Sequence, residues 1–327
     1  MATTKEHSLT DEQRFNASVA QVYTYGNSQY TRWRIAALKS IQKILLNLDD
    51  FYSDLLPELS TSEENMNQDI VHEQIRNGWF YEAVSQAEQA IEDLFSTLMN
   101  TGDIAYFAKN VITYNATAVK KYIWDFKVDD LSYIADQFHL PYFDLDKPWE
   151  NEEVFAMYSS SMLLIQNIVK ALQKFHKKYY LDYCQYKHGL SVGLGSIQLP
   201  LMVGDTERLN KMMEKPLENG LCTFHNETIE EYKKRTGELP AMGILLKPDL
   251  STHVRALHDE KNLLYFTIHH ADIEEMIRVA KQACILLEVV WNNILNRCTK
   301  TASSDYEEIA FPVDQLGRCI VIGFPKV

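Results

Sequence analysis

The chain has 327 residues, 46% of them hydrophobic and 24% charged, with a formal net charge of −13. That length admits one large domain or two ordinary ones, and the composition is that of a globular protein with a sizeable core. The acidic balance excludes a chain-wide electrostatic grip on nucleic acid but leaves room for a local basic patch.

The N-terminal run MATTKEHSLTDEQRF lacks the apolar core of a secretory signal. No stretch approaches the roughly 18 uncharged apolar residues of a membrane span. From Thr31 to Leu56 the sequence predicts a helix whose apolar face carries Trp33, Ala37, Ile41, Ile44, Leu45, Leu48 and Tyr52, closed by Pro57. A second and clearer helix covers RNGWFYEAVSQAEQAIEDLFSTLMN. Its stripe is Phe80, Val84, Ala87, Ile91, Leu94, Phe95 and Leu98, and Gly102 lies just beyond its end. Shorter helices are expected in DIAYFAKNVITYNATAVKKYIWDF and VDDLSYIADQFHL, the latter stopped at Pro141. After an acidic, proline-containing loop comes a long helix running to Gly189. Its stripe is Met162, Ile165, Ile168, Val169, Leu172, Phe175, Tyr179, Tyr183 and Tyr186.

Beyond Gly189 the texture changes to short apolar runs bounded by Gly, Pro and Asn, such as GLCTFHN and NLLYFTIHH, which read as strands. ETIEEYKKRTG reads as a short exposed helix between them. The helical period returns from Ile273 to Cys298, and EEIAFPV and RCIVIGFP form a strand-like tail. The predicted plan is mainly α, α+β overall. A helical bundle occupies 1–190, a β-rich insert 191–270 and a returning helix 271–298. A strand-rich tail over 299–327 is expected to pack on the insert. Five scattered cysteines, odd in number and without C-x-x-C spacing, point to reduced thiols and a cytoplasmic location.

Several chemistries lack their spacing signals. There is no P-loop, no H-E-x-x-H and no G-x-S-x-G. GLSVGLG leads into a strand-like run, not into a helix whose amides would face a phosphate. The His-rich stretch containing His253, His258, His269 and His270 holds candidate metal ligands. Adjacent residues such as His269 and His270 point to opposite faces of a strand, so no metal and no cofactor is expected. Cys184 lies one helical turn before His188, a spacing that fits a thiolate–imidazole pair or plain core packing. Residue 188 is about 200° around the helix from residue 186 and so leaves the apolar face. Lys187-His188-Gly189 is then either a helix end favoured by the dipole or a cationic site for phosphate beside tyrosine rings.

Two segments carry a family resemblance. GWFYEAVSQAEQAIEDLFSTL is similar to an early helix of the HEPN (higher eukaryotes and prokaryotes nucleotide-binding) families. YLDYCQYKHGL is similar to the later helix of the subgroup ending in a Tyr-Asn-x-x-Lys-His-Gly pattern. The resemblance covers roughly residues 75–298, including the strand-rich segment before the returning helix. It implies a helical bundle that often dimerises, found in toxin–antitoxin, phage-defence and RNA-processing settings. Many members are metal-independent ribonucleases using an Arg, usually followed by a polar residue, and then a His after four to six intervening residues.

This chain departs from that pattern. None of its ten arginines has a His at that distance, and the window before His188 supplies Leu181, Asp182 and Tyr183. An aspartate repels a phosphate, and a lysine gives a point charge without a bidentate fork. The expectation is a non-enzymatic HEPN-like protein that binds a partner protein, a second copy or RNA, the last through a local basic patch. His188 is the candidate catalytic residue, and Lys187, Tyr183, Tyr179, Lys178 and Arg76 are the candidate binding residues. The alternatives are a divergent ribonuclease using His188 with an Arg or Lys from another helix or subunit, and a plain scaffold.

Overall fold

The computed structural model of the chain describes residues 9–28, 30–54, 68–141, 147, 151–188, 192–193, 220–225, 227–237, 265–270, 272–299, 306–314 and 318–325. Among these the protein is mainly helical. The first helices are α1 (Asp11–Ser28), α2 (Tyr30–Leu46), α3 (Leu48–Tyr52) and α4 (Gln68–Asn100). A single 3-10 turn (Ile104–Tyr106) leads into α5 (Phe107–Ile112), α6 (Ala116–Asp125) and α7 (Leu131–Gln137). The long α8 (Glu152–His188) follows, then β1 (Val192–Gly193), β2 (Gly220–His225), α9 (Ile229–Thr236) and β3 (Tyr265–His270). The chain closes with α10 (Ile273–Thr299), β4 (Tyr306–Pro312) and β5 (Cys319–Pro325). No described helix is long and apolar enough to cross a membrane.

The helix starts are dictated locally. Asn115 accepts from the Ala118 amide at 3.1 Å and Asp130 from the Tyr133 amide at 3.0 Å, each satisfying an amide that the first turn leaves unpaired. Thr228 and Glu231 form a reciprocal capping box at the start of α9. Gly237 closes that helix at φ +76°, a left-handed conformation open to glycine without strain.

Two compact units divide the chain. One comprises Met1–Ile35, Gln89–Gln173 and Arg278–Val327; the other comprises Ala36–Glu88 and Lys174–Ile277. The boundaries fall inside α2, α4, α8 and α10. A helix of the length of α8 is about 55 Å long, more than one small core can cover.

The first unit is built on Leu94, Phe95, Ile123, Phe126, Ile134, Met162, Val169 and Val290, all buried. Phe95 meets Phe126 edge-on with centroids 5.3 Å apart, and Phe107 meets Trp291 at 5.5 Å. Strands β4 and β5 pair antiparallel in seven-residue register, from Tyr306↔Pro325 to Pro312↔Cys319. Their described packing runs to helices of this same unit. Phe311 packs edge-on against Tyr158 at 5.5 Å, and Ala310 bonds to Asn293. Ile309, Ala310 and Phe311 of β4 are all buried, with Phe311 against Tyr158 of α8 and Ala310 bonded to Asn293 of α10.

The second unit packs Leu38, Ile41, Phe80, Val84, Phe175, Tyr179, Tyr183 and Met276. Its three-stranded antiparallel sheet has the order β1–β2–β3, with Cys222 opposite Ile268. The strands expected in 196–203 and 241–248, and the helix expected in 205–215, lie outside the described residues.

Three expectations near the N-terminus change. Helix α1 has no strong apolar stripe and is not legible from periodicity. The single helix expected over 31–56 breaks at Asn47, which sits at φ −132°, ψ 38°. Trp33, placed on the buried face by spacing, is 62% exposed. The buried residue of that turn is its neighbour Arg34, whose Nε lies 2.6 Å from Asp93 and whose Nη1 donates to Gln89 at 2.7 Å. A bidentate guanidinium–carboxylate pair sets the rotation of α2 against the pull of a single indole.

Burial pushes the Asp93 carboxyl above its ordinary pKa, and Arg34 pulls it part of the way back. Removing the guanidinium with Arg34→Leu is expected to cost about 2–3 kcal/mol at neutral pH. A carboxyl with a raised folded pKa loses its contribution as pH rises through that pKa, and Arg34→Leu raises it further. The loss should therefore shrink as pH falls and Asp93 takes up a proton, measured as urea midpoints across a pH series.

Candidate functional site

The sequence points to the C-terminal half of α8, which belongs to the second unit. Its buried stripe continues as expected through Phe175, Tyr179 and Tyr183, and the helix ends at His188. Tyr179 and Tyr183 are each 1% exposed, so neither offers a ring face to a base in the folded chain. The two candidate lysines are laid onto those same rings. Lys178 Nζ stands 4.7 Å from the Tyr179 centroid, and Lys187 Nζ stands 3.7 Å from the Tyr183 centroid while donating to its hydroxyl.

Tyr186 closes the group by stacking on Tyr81, with centroids 5.4 Å apart and planes 10° from parallel. Its hydroxyl donates to Glu82 at 3.4 Å, and the Tyr81 hydroxyl lies 3.0 Å from Thr223 Oγ1 on β2. Burial, and then Glu82, raise the Tyr186 pKa. The Tyr179 hydroxyl is pushed far above its ordinary range, first by burial and then by Glu275, Asp182, Tyr232 and Asp272. Three carboxylates thus surround this part of the helix, and Asp182 is fully buried. That field disfavours an anion.

Arg76 does not join this group through any described contact. It is half-buried on α4, and its Nε has no hydrogen-bond partner among the described residues. The arginine brought to α8 is one that the sequence reading did not select. Arg235, at the end of α9, donates through Nη1 to the carbonyls of Lys177 and Lys178, the second at 3.4 Å. Its Nε donates to Glu227 at 3.2 Å, and its guanidinium stands 5.1 Å over the Tyr232 ring. Glu227 already neutralises it, and Lys178 precedes His188 by ten residues, about 15 Å along the helix axis. The side chain of His188 and the segments holding His253 and His258 lie outside what is described, as does the GLSVGLG loop apart from Val192 and Gly193. Among the described residues no group of three or more His, Cys, Asp or Glu is placed to hold a metal ion.

A second arrangement was missed. His176 Nδ1 and Glu88 Oε2 are 2.5 Å apart, and both side chains are 0% exposed. The His176 ring also leans on Tyr180, with centroids 4.8 Å apart. Glu88 belongs to a polar stripe on α4, Tyr81, Ser85, Glu88 and Glu92, all of them buried. The spacing of four, three and four residues marks one face of a helix, so the stripe was legible as a polar line about 100° around from the apolar one. A carboxylate orienting an imidazole is one half of a general-base constellation. Here the pair has no face to solvent, and it serves as a polar fastener between α4 and α8.

Thiol chemistry is disfavoured as well. Burial, then Glu288, push the Cys284 thiol up to about 12, and the same causes in the same order push Cys319 up to about 11. Cys184 is half-buried on α8.

What the geometry assembles at the α8 end is thus a pair of sealed tyrosine rings with a half-buried Lys178 and an exposed Lys187 laid against them in acidic surroundings, and Arg235 anchoring α9 to the helix. No protein-family model, curated protein or solved structure matches the chain, so the likeness to HEPN domains rests on the two helices that suggested it.

Proposed function

We infer that this chain is a non-enzymatic, HEPN-like helical protein that acts by binding another protein, in a phage-defence or toxin–antitoxin type of setting. The observation that carries this reading is the state of the candidate site. Tyr179 and Tyr183 are core residues, and the ammonium groups of Lys178 and Lys187 lie against their rings. A ribonuclease needs a cation aimed at the developing phosphate charge. Lys178, Lys187 and Arg235 instead face tyrosine rings, helix carbonyls and Glu227. Asp182, Asp272 and Glu275 beside Tyr179, together with the net charge of −13, favour a protein partner over RNA.

The test is incubation of the purified chain with structured and unstructured RNA at low salt, with and without chelator. No cleavage and no retention of RNA are expected. Chelator-insensitive cleavage that disappears in His188→Ala would make the protein a ribonuclease and overturn this reading. Salt-sensitive RNA binding without cleavage would overturn the choice of a protein partner.

A further inference from the structure

The tail hairpin has two edges, and the structure treats them differently. On the β4 side the edge is closed by a side chain. Asn293 accepts the Ala310 N–H at 2.8 Å, donates to the Ala310 carbonyl at 3.3 Å, and donates to the Phe138 carbonyl at 3.1 Å. Its carboxamide thereby takes the place of a neighbouring strand.

This also fixes where β5 points its own groups. Ala310 faces Val321 in the register, and its N–H and C=O turn outward to Asn293. Ala310–Val321 is therefore a pair that exchanges no hydrogen bonds, and Val321 must turn its N–H and C=O away from β4. By the two-residue period, Cys319 and Gly323 do the same. No described residue takes those groups, and Val321 is 59% exposed.

The composition of β5 is unusual for such an edge. Cys319-Ile-Val-Ile-Gly-Phe-Pro325 contains no ionisable side chain but a cysteine thiol held neutral by burial, whereas exposed edges are normally guarded by charges or bulges. Arg318, just before the strand, is paired with Asp314.

We propose that β5 is the self-association edge of this protein, pairing antiparallel with β5 of a second copy about a two-fold axis at Val321. In that register Val321 lies opposite Val321, and Cys319 lies opposite Gly323 of the second copy. Cys319, Val321 and Gly323 of each strand find partners, and Pro325, which also turns outward but has no N–H, stays outside the paired set. The occupant follows from charge and symmetry. Two chains of net charge −13 repel over most of their surfaces, and this strand places no like charges opposite one another. The inference rests on the tail alone and is independent of the reading of α8.

The register makes the test specific. Opposed residues of a hydrogen-bonded pair have Cα atoms about 5.5 Å apart, within disulfide range. Two Cys319 residues would be about 14 Å apart, beyond it. The wild-type chain is expected to show a concentration-dependent dimer by light scattering and sedimentation. Mild oxidation should give a covalent dimer with Val321→Cys and none with the native cysteines. Val321→Lys sets two charges face to face and should weaken the dimer by about tenfold or more, with unchanged thermal unfolding at a concentration where both chains are monomeric. A wild-type monomer at every concentration overturns the proposal and leaves the edge to a different chain. So does a Val321→Lys dimer as tight as wild type, or cross-linking no greater in Val321→Cys than in wild type.

Discussion

Replacing His176 alone with leucine is expected to destabilise the second unit by about 3–5 kcal/mol, the range for stranding one member of a buried charged or hydrogen-bonded pair. The substitution fills most of the imidazole volume, so cavity formation is a minor part of the loss. The main part is electrostatic, because the Glu88 carboxyl stays fully buried without the nitrogen that stood 2.5 Å away. The double variant Glu88→Leu/His176→Leu removes both polar groups. It should recover most of that loss, ending within about 1–2 kcal/mol of wild type, since apolar replacement of a whole buried pair is often neutral or better. Urea denaturation of the wild type, the two single variants and the double variant gives the coupling energy directly. A double-variant loss equal to the sum of the two single losses would mean no coupling, with the side chains mattering through independent packing alone. His176→Gln, which keeps a donor and an acceptor at the position, should fall between.

Asn293→Leu is expected to be comparably damaging in the first unit. The leucine has about the right shape, but it orphans three buried backbone groups: the Ala310 N–H, the Ala310 carbonyl and the Phe138 carbonyl. At about 1–3 kcal/mol for each unsatisfied buried group, a loss of roughly 3–5 kcal/mol follows after partial relaxation. Asn293→Asp is the sharper probe. It retains the acceptor for Ala310 N–H but sets carboxylate oxygens against two carbonyl oxygens, so it should be at least as destabilising as leucine at neutral pH. Hydrogen exchange should then show protection lost first at Ile309–Phe311, where β4 meets the amide. If both variants unfold like wild type, the carboxamide is not what holds the hairpin to α10.

The helices were largely legible from periodicity. The stripes of α4 and α8 predicted from three- and four-residue steps are buried from Phe80 to Leu98 and from Met162 to Tyr183, with Tyr186 at the end of α8 only half-buried. Periodicity failed where polar residues are buried by a specific partner. Trp33 outranks Arg34 on any hydrophobicity argument, yet Arg34 is inside because Asp93 and Gln89 meet it there. Glu88 and His176 were passed over for the same reason. Each looks like a solvent-facing residue until the other, 88 positions away in sequence, is placed beside it. The candidate site was legible as a place but not as a state. The tyrosines, lysines and helix end are where the pattern puts them. That the rings are sealed and the lysines lie on them is a matter of packing.

The amino-acid sequence by itself determined that the chain is mainly helical, that α8 ends at Lys187-His188-Gly189 and that short strands follow. It also determined that the P-loop, zincin and hydrolase-elbow motifs are absent. These depend on local spacing, capping and residue type, which neighbouring residues settle among themselves. Only the tertiary structure decided which polar groups are paired inside the protein, which arginine reaches α8, and which edge of the tail hairpin Asn293 closes. Those outcomes depend on residues tens to hundreds of positions apart, held together because a buried polar group is costly until its partner arrives.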